Sequence, residues 1–154
     1  MRGVINNRDR ARQINDFSGL VFGKITPTDI DGLIEYQNKA YVFFEVKRGE
    51  TELPLGQRIA LERLVYDMVR AKKKAIALIA QHDVCDPELS VDVAGCVVRS
   101  YFWYGEWIQP KQEITVKEAV TRFLDNHQGG STWQRRGRYR STKAKRGERC
   151  DSRI

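Results

Sequence analysis

Thr28-Asp29-Ile30-Asp31-Gly32-Leu33-Ile34 and Tyr41-Val42-Phe43-Phe44-Glu45-Val46-Lys47 each alternate apolar residues with others at period two, as β-strands do. In the second stretch Val42, Phe44 and Val46 share one face, and Tyr41, Phe43, Glu45 and Lys47 share the other. In the first, Ile30 and Ile34 point one way, while Asp29, Asp31, Leu33 and Glu35 point the other. Carboxylates thus stand at the polar ends of otherwise apolar faces, where burial is costly unless something compensates the charge.

Asp31 and Glu45 are symmetric about Asn38. A hairpin with a three- or five-residue loop centred on Asn38 sets the two residues directly opposite each other. Asn tolerates the left-handed backbone that short hairpin loops require. Two carboxylates would then converge with the Lys47 ammonium one strand-step away. A divalent cation is the natural partner of such a pair, because like charges that close do not both stay ionised unaided.

A chain of 154 residues has room for one domain with a sizeable core. Its start carries no apolar run of the kind that marks a signal peptide, and no stretch has the ~20 apolar residues of a membrane span. Cys85, Cys96 and Cys150 lack paired metal-ligand spacing, and their odd number argues against a disulfide framework. These features together read as a cytoplasmic protein. The net charge of +7 is unevenly placed: residues 128–154 hold nine Lys or Arg against Glu148 and Asp151, so the rest of the chain is neutral overall. The expected organisation is a folded body over 1–127 and a basic, disordered tail over 128–154, after the Gly129-Gly130 linker.

Along the body, residues 4–17 read as a short helix or irregular lead-in, and Leu20–Ile25 as a first strand. Leu55 to about Lys72 is helical, with Leu61, Leu64, Val65, Met68 and Val69 in a stripe and Pro54 at its start. Gln57 lies on that stripe where an apolar residue is expected. Ala75–Ala80 is an apolar run suited to a strand buried on both faces. Val91–Trp103 reads as a further strand, with a short return through Trp107 and Ile108. Thr115-Val116-Lys117-Glu118 matches a capping box opening a last helix that ends near Asn126. The fold class is α/β, a mixed central sheet flanked by helices.

Asp31, then Glu45-Val46-Lys47 on the next strand, then a helix bearing Gln57, resembles the PD-(D/E)xK nuclease superfamily with its restriction-endonuclease-like fold. The likeness covers residues 16–80, and the rest matches by order of elements alone. It implies that Asp31 and Glu45, helped by the backbone carbonyl of Val46, coordinate Mg²⁺ or Mn²⁺. Asp29 is a second acidic candidate for that role. Lys47 would orient the attacking water and neutralise charge in the transition state, and Gln57 would touch the water or the DNA. Many members carry an acidic residue in an N-terminal helix; here Asp9 or Asp16 would have to serve, or the position is absent. The implied activity is metal-dependent hydrolysis of DNA phosphodiester bonds. The small body is similar in size to Holliday-junction resolvases, which suggests branched or recombination DNA as substrate and a homodimer as the assembly.

Plainer readings stand beside these. Asp29 and Asp31 suit a turn before Gly32, Glu45 and Lys47 an edge-strand charge pair, and Gln57 a solvated helix position. His82 and His127 have no spaced partner. The aromatic group Tyr101, Phe102, Trp103, Tyr104 and Trp107 suits a core or an oligomer interface better than a base-stacking platform. Arg135, Arg136, Arg138, Arg140, Lys143, Lys145 and Arg146, with Trp133 and Tyr139 among them, fit contacts to nucleic-acid phosphates. That tail supports a second class of function, a non-catalytic nucleic-acid-binding protein on a nuclease-like scaffold.

Overall fold

The computed structural model describes residues 16–125. Five strands form one mixed sheet in the order β1-β2-β3-β4-β5, with β1 Gly32–Tyr36, β2 Ala40–Arg48, β3 Lys74–His82, β4 Val97–Trp103 and β5 Glu106–Ile108. Only β2 and β3 run parallel, and the helix α1, Leu55–Arg70, joins them. The second helix, α2, spans Val116–Asp125. Among the described residues no helix is long and apolar enough to cross a membrane.

The hairpin register is the one the symmetry about Asn38 predicts. Gly32 pairs with Phe44 and Tyr36 with Ala40, leaving the three-residue loop Gln37-Asn38-Lys39. Gln37 and Asn38 take φ of 50° and 55°, and Lys39 N donates to Tyr36 O at 2.9 Å. Glu35 accepts from the Asn38 amide and so holds the turn. Gly32 has a specific steric duty: a Cβ there would lie 3.1 Å from the Phe44 ring. A larger residue would push that ring and with it the strand carrying Glu45.

Three expected strands are shorter than their sequence patterns. The first hairpin strand begins only at Gly32, so Asp29 and Asp31 precede it. Residues 20–25 are not a strand: Ser18–Leu20 is a 3₁₀ turn, and Phe22 and Ile25 pair with each other in an isolated bridge. Among the described residues no strand of the sheet lies beside it, and that apolar stretch stays irregular and exposed. β4 starts at Val97 rather than Val91, because the Asp92 side chain accepts from Ala94 N and turns the chain through Val93–Gly95.

Each face of the sheet buries one helix. On one side Leu61 and Val65 of α1 pack on Phe43, Ala75, Ala77 and Phe102. On the other, Val116, Ala119 and Phe123 of α2 join Val42, Phe44, Ile76, Leu78, Val98 and Tyr101. β3 is therefore covered on both sides, as its continuous apolar run requires. The capping box forms as expected: Glu118 N donates to Thr115 Oγ1 at 3.2 Å, and Thr115 N donates to Glu118 Oε2 at 2.9 Å. Thr115→Ala removes one half of this exchange and is expected to cost about 1 kcal/mol in denaturant unfolding. An unchanged midpoint would mean that packing alone holds the start of α2.

Candidate active site

Glu45 and Lys47 alternate with Phe43 on the α1 side of β2, near its C-terminal end. Pro54 precedes the first turn of α1, and that turn places Gln57 above them. The ammonium of Lys47 lies 3.0 Å from Glu45 Oε2 and donates to Gln57 Oε1 at 3.1 Å. Gln57 Nε2 in turn donates to Asp29 Oδ1 at 2.9 Å. One amide thus orients both Lys47 and Asp29, residues far apart in the chain. Gln57 is half-buried and engaged, not a solvated helix position.

Asp31 sits one step beyond the Gly32–Phe44 pair, where extension of the register sets it opposite Glu45. Its Oδ2 accepts from Val46 N at 2.7 Å. The structure therefore brings together Asp29, Asp31, Glu45, Val46, Lys47 and Gln57. Asp16 is not among them; its carboxylate accepts from Ser18 N at 2.8 Å and holds the turn there. Asp9 and the tail residues Arg135, Arg136, Arg138, Arg140, Lys143, Lys145 and Arg146 lie outside the described residues.

Glu45 is the one buried charged residue in the described core, with 0% exposure. Neither of its oxygens makes an aligned hydrogen bond, although Lys47 offers an ion pair at 3.0 Å. That contact engages Oε2, while Oε1 has no partner among the described residues. Burial pushes the Glu45 carboxyl above its usual range, against the pull of Lys47, and the negative charges of Asp31 and Asp29 push the same way. A raised folded pKa favours the protonated, folded state. The associated stability is complete below the ordinary Glu value of ~4.3 and is lost as pH rises through the higher folded value. Without divalent cations, Glu45→Gln should therefore gain stability relative to wild type as pH rises from about 4. Urea unfolding across pH measures this, and a pH-independent difference would count against a raised Glu45.

Two neighbours were not singled out in the sequence. Gln81 pairs with Lys47 across β2 and β3, so both side chains stand on the same face. Arg99 lies at the irregularity in β4, where its Nη1 donates to Thr51 O at 2.8 Å and tethers the β2–α1 connection. The sequence signal for Gln81 was a polar residue closing an apolar strand; Arg99 had none, since a bulge sets its direction.

The chemistry available is that of hard oxygen donors beside a fixed cation. Among the described residues no three His, Cys, Asp or Glu side chains converge as a metal cluster. The carboxylates of Asp31 and Glu45 are a pair, a smaller set than that. Compared with known proteins, the chain matches no family model, and neither a curated protein nor a solved structure matches it.

Proposed function

We propose that this protein is a metal-dependent nuclease of the PD-(D/E)xK kind, hydrolysing phosphodiester bonds in DNA. The observation that carries the proposal is the Lys47 ammonium held between a fully buried Glu45 carboxylate and Gln57, with Asp31 tied to the adjoining Val46 peptide. A buried carboxylate whose one partner is an ammonium on Oε2 remains costly, and a hard cation at its other oxygen would compensate the charge further. Asp31, Glu45 and the Val46 carbonyl would hold Mg²⁺ or Mn²⁺, with Asp29 as the alternative carboxylate to Asp31. When bound, the cation supplies Lewis-acid stabilisation of charge on the phosphate oxygens.

The remaining roles belong to the chain. Lys47 points its N–H groups toward the attacking water and the developing negative charge. Gln57 fixes that direction, and Glu45 keeps the ammonium charged and in place. The N-terminal turn of α1, which carries Gln57, contributes amide dipoles that favour an anion nearby. The body is neutral overall, so attraction to DNA falls to the basic tail, whose phosphate contacts should weaken with salt. Branched or recombination DNA is the proposed preferred substrate, by analogy of size.

The assay uses the full chain with plasmid and branched DNA, in Mg²⁺, in Mn²⁺ and in chelator. Cleavage that requires the cation supports the proposal. Salt-dependent binding without cleavage under any of these conditions would replace it with the non-catalytic DNA-binding reading.

A further inference from the structure

One side chain beside the candidate site is aimed by a break in the sheet. Along β4, Val98 pairs with Ala80 and Ser100 with Ile79, so Arg99 is the extra residue of a β-bulge. A bulge interrupts the alternation of faces and redirects the side chain it carries. From there Arg99 reaches to the Thr51 carbonyl, which accepts from its Nη1 at 2.8 Å. Thr51 lies midway between Lys47 and Leu55, on the connection from β2 into α1. The guanidinium of β4 is thus drawn to the segment that joins Lys47 to Gln57.

That tether uses one N–H of a group with several. Among the described residues the ion pairs are Lys47 with Glu45 and Arg58 with Glu62, so Arg99 has no carboxylate partner. Glu50 and Glu52 flank Thr51, yet both are exposed and neither pairs with it. Arg99 itself is half-buried, and an uncompensated charge there is costly until an anion arrives. Gln81 stands between the two cations in strand order: it pairs with Lys47 on one side and with Val97 of β4 on the other. It is half-buried, and its amide makes no bond among the described residues. Lys47, Gln81 and Arg99 therefore form a row of donors across β2, β3 and β4. Strands lie about 4.8 Å apart, so the backbones of Lys47 and Arg99 are roughly 10 Å apart. A row of that length suits the repeating charge of a nucleic-acid strand better than one small anion.

We propose that Arg99 binds a backbone phosphate of the DNA strand that crosses the candidate site, beside the phosphate that Lys47 meets. Its planar fork donates to phosphate oxygens while Nη1 keeps the Thr51 carbonyl. The inference takes its ligand from the nuclease reading, but the contact belongs to binding and precedes any cleavage. Arg99 is a substrate contact, and Gln81 lines the path between the two phosphates.

The test is the affinity of the full chain for a short DNA duplex in chelator, measured over a range of salt. Arg99→Gln should weaken binding about ten-fold at low salt and reduce the slope of log K against log salt by about one. Arg99→Lys keeps the charge and should keep the slope. Arg63→Gln removes the same charge from an exposed position on α1 and should change neither quantity. In Mg²⁺, Arg99→Gln should raise KM for cleavage and leave kcat nearly unchanged, as loss of a ground-state contact does. A mere tether of the connection would instead lower kcat and leave the salt slope alone. Far-UV circular dichroism checks folding, and Arg99→Met, which keeps the apolar stem, is read in the same way should Arg99→Gln unfold. An unchanged slope in the folded Gln or Met variant overturns the proposal, as does an equal reduction in Arg63→Gln. A reduced slope in Arg99→Gln alone, with no cleavage by wild type, upholds the phosphate contact and overturns the nuclease reading.

Discussion

Lys47→Ala is expected to lower the rate of metal-dependent DNA cleavage by about a hundred- to a thousand-fold, the effect of removing one aimed donor from a charge-building site. The reason is local. Lys47 is the cation placed 3.0 Å from Glu45, and Gln57 holds it at 3.1 Å from the other side. Glu45→Ala should fall at least as far, because it removes both the anchor of the ammonium and a proposed cation ligand. Lys47→Arg is not expected to rescue activity, since a planar guanidinium does not reproduce a compact ammonium between Glu45 and Gln57. Folding should survive Lys47→Ala, because a buried carboxyl left without its partner takes up a proton instead of staying charged. Single-turnover cleavage, read beside circular dichroism, separates these effects. Full activity in folded Lys47→Ala or Glu45→Ala would remove this site from the mechanism.

Leu61→Ala should destabilise the fold by about 2–5 kcal/mol, a large fraction of the ~5–15 kcal/mol that holds a domain of this size. Leu61 is 1% exposed and is the wedge between α1 and Phe43, Val65, Ala75, Ala77 and Phe102. Truncation leaves a cavity on the sheet face that also carries Glu45 and Lys47. The midpoint of urea unfolding should drop with its slope unchanged, and cleavage should fall only as far as the folded fraction does. The two variants therefore dissociate: Lys47→Ala loses chemistry and keeps stability, and Leu61→Ala does the reverse. A loss below 1 kcal/mol for Leu61→Ala, judged against the usual cost of cavities, would mean that α1 is not fixed by this contact.

Much of the sheet was legible because its rules are local. Alternation about Asn38 sets the hairpin register, since slipping by one residue would turn every side chain to the wrong face. The capping box at Thr115 and Glu118 depends on residues three apart, and it forms as written. Length was less legible. Residues 20–25 have a strand-like pattern but, among the described residues, no partner strand, and at 28–31 the Asp31 side chain takes the Val46 N–H of the neighbouring β2 in place of the backbone.

The site divides the same way. The sequence alone determined that Asp31, Glu45 and Lys47 belong to one end of one hairpin, because strand periodicity and a three-residue loop leave little freedom. Only the tertiary structure decided the rest. Asp29 meets Gln57 across 28 positions of sequence, through an amide that also binds Lys47. Val69, expected in the buried stripe with Leu61 and Val65, is likewise turned out to 47% exposure. Both depend on where α1 is set down on the sheet, which the summed packing of side chains decides and no short-range pattern encodes.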